Sequence, residues 1–77
     1  MNASKIGKVI RTRRVLLKIR QEDLAEMSGV ALKTIHFVET GTGNPSLATL
    51  IKIADIIGLE ILIQVKTLNN GEGGSIL

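Results

Sequence analysis

Gln21-Glu22-Asp23-Leu24-Ala25-Glu26-Met27-Ser28-Gly29-Val30-Ala31-Leu32-Lys33-Thr34-Ile35-His36-Phe37-Val38-Glu39-Thr40-Gly41 holds two short helical patterns with three residues between them. In Gln21 to Ser28, Glu22 and Asp23 fall in the first turn, where the positive end of a helix favours acids, and Leu24 points inward. Gly29 ends this pattern, because glycine enters the left-handed conformation beyond a helix without a Cβ penalty. From Leu32 to Thr40, Ile35 and Val38 share a side with one of Thr34 or Glu39, and Gly41 and Gly43 break the run.

A gap of only Gly29 to Ala31 between the two is the spacing of a helix-turn-helix. Outward from it, residues 5–17 set Ile6, Val9, Ile10, Arg13 and Leu16 or Leu17 at spacings of three and four, with Ser4 as N-cap. This predicts a first helix with an apolar stripe and basic flanks. Ile19 and Arg20 link it to the second. Beyond the pair, Asn44-Pro45-Ser46 reads as a turn into a helix capped by Ser46. Leu47, Leu50, Ile53 or Ala54, and Ile57 then lie on one face, and Gly58 is the stop.

The period changes after Gly58. From Glu60 to Lys66 the odd positions are apolar and β-branched residues dominate, which predicts a strand. A lone strand on four helices leaves its backbone donors and acceptors unpaired, so Ile61, Leu62, Ile63, Gln64 and Val65 are expected to pair with the same strand of a second copy. The expected fold is an all-α domain over residues 1–68, with a C-terminal β-strand at 60–66 pairing across a homodimer. Asn69-Asn70-Gly71-Glu72-Gly73-Gly74 has no periodicity, and residues 69–77 are expected to form a mobile tail.

Seventy-seven residues allow one small core and no large catalytic cleft. With 44% hydrophobic and 22% charged residues the composition is that of a folding chain, and without cysteine there are no disulfides or thiolate metal sites. A small core lacking such staples suits support from a partner subunit. No apolar run approaches the roughly 18 residues of a membrane span, and residues 1–10 lack a secretion signal, so the expected compartment is the cytoplasm. Residues 1–20 carry Lys5, Lys8, Arg11, Arg13, Arg14, Lys18 and Arg20 with no acid, whereas the remainder is net acidic. This asymmetry gives the particle a positive side suited to a polyanion. Phe37 is the only aromatic residue, which disfavours stacking on single strands and leaves duplex DNA.

The segment Gln21 to Val30, followed by Thr34-Ile35, Val38-Glu39-Thr40-Gly41, Asn44-Pro45-Ser46-Leu47 and Leu50-Ile51-Lys52-Ile53-Ala54, resembles the lambda-repressor-like, or XRE, family of DNA-binding domains over about residues 6–59. The strand after Gly58 resembles, more loosely, that of HipB-like antitoxins and related small regulators. The resemblance implies that Gln21 holds the DNA backbone, that Ala25 lets the third helix pass close to the second, and that the third helix enters the major groove. It also implies a partly buried salt bridge between Arg14 and Glu39, in keeping with the cost of burying either charge alone.

This sequence departs from the family's pattern at several positions. Ala31 stands where a Ser or Thr cap is usual, and Lys18 where glycine is usual, at a cost of about 1 kcal/mol if its φ is positive. Arg20 replaces the polar cap of the second helix and adds a phosphate contact. The matched base-facing positions are Leu32, Lys33 and Phe37, which suit thymine methyls and a guanine edge and equally suit a protein-contact surface. Backbone contacts fall to Arg20, Gln21, Thr34, His36, Thr40, Gly41, Thr42, Gly43 and Asn44.

The implied function is a sequence-specific double-stranded DNA-binding transcription regulator, a repressor that binds an inverted repeat as a dimer and is nucleoid-associated when bound. The alternative is an antitoxin that neutralises a toxin protein by direct binding and autoregulates its operon. Enzymatic catalysis is disfavoured: His36 is the only imidazole, and the acids form neither a metal cluster nor a paired catalytic set, so no catalytic residue, metal or cofactor is expected. Gly41-Thr42-Gly43 lacks the strand, lysine and helix of a phosphate loop. A membrane-surface role for the basic amphipathic residues 5–18 conflicts with their commitment to the core, so no membrane partner is expected.

Overall fold

The computed structural model describes residues 1–66 and contains four helices: α1 (Ala3–Leu16), α2 (Gln21–Ser28), α3 (Leu32–Thr40) and α4 (Leu47–Ile57). The last three have the bounds read from the sequence. The first begins earlier, because Asn2 rather than Ser4 is its N-cap, accepting the Lys5 N–H at 2.9 Å. Ser46 caps α4 by accepting from Thr49 N–H at 3.1 Å. The 69–77 tail lies outside the described residues.

α1 packs chiefly on α3, and α2 on α3 and α4. Their shared core is Ile10, Leu24, Val30, Ile35, Val38, Ile53 and Ile57, flanked by Ile6, Ile19, Ala25, Leu50 and Leu59. Each fully buried aliphatic side chain contributes about 1.5–3 kcal/mol. The sequence stripe on α1 needs correction: Val9, Leu16 and Leu17 are exposed, while Arg13 stays on the inner side and is joined there by Arg14. Gly7 is the cause, since it lies against the backbone of α3, where an added Cβ would overlap the Val38 carbonyl oxygen and approach that of Glu39 to 2.8 Å. This crossing directs the Ile6–Ile10 face at α3. Arg13 then reaches α4, donating from Nε to the Ile57 carbonyl at 2.8 Å, one of the last-turn acceptors that a helix leaves open. Leu47, placed on the inner face of α4 by its spacing, is also exposed at the first turn.

Leu59 returns to the core with its N–H on Ala54 O at 2.9 Å, and residues 60–66 then leave the helices. Among the described residues there is no strand: the expected strand at 60–66 has no ladder in the single chain, where no second extended segment stands beside it. Ile61, Leu62, Ile63 and Val65 are all exposed.

Candidate nucleic-acid interface

Arg14, Glu39 and Gln21 join three helices beneath α3. Arg14 Nε donates to Glu39 Oε2 at 2.6 Å and Nη2 to Oε1 at 2.9 Å, while Nη1 donates to the Ile19 carbonyl at 2.8 Å. Gln21 Nε2 donates to Glu39 Oε1 at 3.1 Å. The Glu39 side chain is 1% exposed and that of Arg14 11%. Both carboxylate oxygens are therefore satisfied, as a buried charge requires. Hydrogen bonding to Glu39 holds the Arg14 guanidinium above its ordinary range, against the opposing effect of burial.

Between α2 and α3, Gly29 takes φ 72° and donates its N–H to Ala25 O at 3.0 Å. The Ser28 hydroxyl donates to Leu24 O at 2.6 Å and accepts the Val30 N–H at 3.2 Å, and Val30 is buried just beyond the turn. These bonds fix how α3 leaves α2. Anchored through Ile35, Val38 and Glu39, α3 presents Leu32, Lys33, His36, Phe37 and Thr40 outward. Lys33 Nζ lies 5.7 Å from the Phe37 ring centroid, so these two, one turn apart, act as one surface. Thr34 is half-buried. Ala31 offers no side-chain cap, which leaves the first-turn N–H groups of α3 without one.

At the start of α2, Asp23 Oδ2 accepts the Arg20 N–H at 3.0 Å and Nε at 3.1 Å. A guanidinium has no acceptor, so only this half of a capping box forms. Bonding to Arg20 holds the Asp23 carboxyl below the usual aspartate range. The Arg20 side chain is 72% exposed and still faces solvent. Following α3, Gly41 N–H bonds Val38 O and Thr42 N–H bonds Phe37 O, at 3.1 and 2.9 Å. Thr40 Oγ1 donates to the His36 carbonyl at 3.0 Å and meets Thr42 Oγ1 at 2.9 Å. Among the described residues, the Gly43 and Asn44 N–H groups make no backbone hydrogen bond, so they are the loop's open backbone donors. Arg11, Arg20, Gln21, Glu22, His36 and Thr40 line a polar groove over the Arg14–Glu39 pair.

Two helices joined by a fixed three-residue turn, the second carrying an exposed cationic and apolar face, form the scaffold that the helix-turn-helix family profile describes, and that profile matches residues 10–63. The chain belongs to the helix-turn-helix family. Its XRE-type branch includes the restriction-modification controller protein C.AhdI from Aeromonas hydrophila. That structure superposes on this helix-turn-helix chain with a TM-score of 0.71 at 33% identity, covering 75% of this chain and 88% of that one. An HTH-type transcriptional regulatory protein of Methanococcus maripaludis is 36% identical over 67 residues, 87% of this chain. An HTH-type transcriptional regulator of Methanocaldococcus jannaschii is 44% identical over 48 residues, 62% of this chain and 73% of that one. The helix-turn-helix chain spans about a fifth of the length of the Methanococcus relative.

The helix-turn-helix fold brings Lys33 and Phe37 together with Leu32 nearby on one helix, and gathers Arg20, Gln21, His36 and Thr40 around one groove. Gly41 to Asn44 continue from the end of α3, with Gly43 beside the Phe37 side chain, and also border the N-terminus and Leu50. No local pattern in the sequence points to Arg11, because its place beside Arg20 and His36 depends on how α1 crosses α3. For Gly7 there was a signal, a glycine inside a helical pattern.

Proposed function

We propose that this chain is a sequence-specific double-stranded DNA-binding transcription regulator, a repressor acting as a homodimer on an inverted repeat in the cytoplasm, nucleoid-associated when bound. The observation that carries the reading is the exposed Leu32–Lys33–Phe37 face of α3, held in one orientation by the buried Arg14–Glu39–Gln21 cluster. A rigid helix with a cation and two apolar groups has the chemistry for guanine edges and thymine methyls. The phosphates of the same site fall to Arg20, Gln21 and His36, with Thr34, Thr40 and the loop Gly41–Asn44 around them, Gly43 and Asn44 supplying the open N–H groups. In the free chain the Thr40 and Thr42 hydroxyls are engaged with each other and with the Phe37 and His36 carbonyls, so they would exchange partners on binding.

Support for the homodimer comes from the segment beyond α4. Ile61, Leu62, Ile63 and Val65 are exposed in the single chain, Ile63 to 85%, and Ile61 and Leu62 border an apolar groove with Val9 and Leu50. Pairing residues 60–66 across a two-fold axis covers these groups and satisfies the strand's backbone, with 1–68 as the domain and 69–77 as a tail. Relatives named as transcription regulators and a neighbour titled a controller protein favour regulation. Nothing observed favours the antitoxin alternative. Light scattering combined with duplex titration at two salt concentrations tests the reading: a dimer with salt-dependent duplex binding is expected, and a folded protein that binds no duplex at low salt overturns it.

A further inference from the structure

The groove where α1, α2 and α3 meet has a particular balance of charge. Arg11 and Arg14 face it from α1, Arg20 and Glu22 from the start of α2, and His36 and Glu39 from α3. Arg14 and Glu39 neutralise each other at the floor, and Arg20 is shared with Asp23. Among the described residues Arg11 has no ion-pair partner. With the imidazole neutral, three arginines oppose two glutamates, and a protonated His36 adds a fourth positive charge. Both Arg11 and His36 are exposed side chains on neighbouring helices, and neither is engaged in the buried cluster that holds the fold.

We propose that this groove binds one phosphate of the DNA backbone between Arg11 and His36, and that His36 takes up a proton from solvent when that phosphate is seated. The inference rests on the DNA-binding reading above and adds to it a defined anion site and a proton linkage. A phosphate is an acceptor with a full negative charge, so a neutral imidazole offers it one N–H, whereas an imidazolium offers charge as well. Imidazole is the side chain whose ordinary charge change spans about pH 5 to 8, which makes duplex affinity rise on acidification. Glu22 on the rim opposes the phosphate. The Met1 amine lies with the Gly41–Asn44 loop and is unchanged by substitution of His36.

The test uses the full chain and a labelled mixed-sequence duplex of about two helical turns, titrated at several salt concentrations at about pH 8 and about pH 5, with folding followed by circular dichroism. For the wild type, affinity is expected to rise about twofold to fivefold on acidification, with a salt dependence steeper by about one unit. His36→Gln should lose that difference, its affinity at about pH 5 staying within about twofold of its own value at about pH 8. Arg11→Gln should bind more weakly at both pH values, with a salt dependence shallower by about one unit. Duplex binding in which His36→Gln keeps the full pH response, or Arg11→Gln keeps the full salt dependence, overturns the groove and leaves the DNA reading standing. A folded wild type that binds no duplex at either pH overturns both.

Discussion

Glu39 shows how one carboxylate decides the placement of a helix. It sits at 1% exposure and accepts from Arg14 and Gln21, so its removal leaves an arginine charge in a largely dry setting. Glu39→Ala is expected to cost about 3–5 kcal/mol, read by thermal or urea unfolding. A variant that melts like the wild type yet fails to bind DNA would place Glu39 in the interface instead of beneath it. Asp23 makes a weaker, exposed contribution whose sign is set by Arg20. Because its folded-state pKa lies below the unfolded value, its stabilisation is present above the usual aspartate pKa and is lost as pH falls through the depressed value. The melting difference between wild type and Asp23→Asn should therefore be largest near neutrality and shrink in acid. A difference independent of pH would remove the carboxylate from that role.

Among the elements, the α1–α2 connection is strained and α3 is not. Lys18 takes φ 58°, the only non-glycine residue with positive φ among the described residues, while its N–H bonds Val15 O at 2.9 Å. Lys18→Gly should stabilise by about 1 kcal/mol, a rise in Tm of about 4–8 °C for a domain of this size. No rise in Tm would mean that the lysine charge at the end of α1 offsets the strain. On α3, Phe37→Ala should lower the ratio of operator to random-duplex affinity by about tenfold, since a methyl contact depends on the base. Arg20→Ala should weaken both duplexes similarly and flatten the salt dependence by about one unit. Titration of each variant with both duplexes checks the pair, and equal losses for Phe37→Ala would end its base-reading role.

At the level of the whole molecule, the four helices bury a core of their own, whereas Ile61, Leu62, Ile63 and Val65 beyond Leu59 stay exposed. Removing residues 60–77 keeps Leu59 on the core and should give a folded monomer, with DNA affinity reduced more than by removing residues 69–77 alone. Light scattering on both truncations checks this. A dimer that survives loss of residues 60–77 would move the interface to the exposed apolar side chains of α1 and α4.

Helix existence and bounds were largely determined by the sequence, because the signals are local: Gln21 to Ser28, Leu32 to Thr40 and Leu47 to Ile57 are framed by glycines and a serine cap that act on their own neighbours. The Arg14–Glu39 pair was legible through family resemblance, and its bidentate geometry with Gln21 was not, since that depends on three helices meeting. Only the tertiary structure turned Val9 and Leu16 outward while keeping Arg13 inward. Apolar spacing at three and four is satisfied by more than one helix face, and the close approach at Gly7 selected between them. The same crossing brought Arg11 to Arg20 and His36, residues up to 25 positions apart, which no local pattern connects. For residues 60–66 the sequence supplies an apolar, β-branched segment, but a strand exists only through hydrogen bonds to a neighbour, and the described residues of one copy provide none.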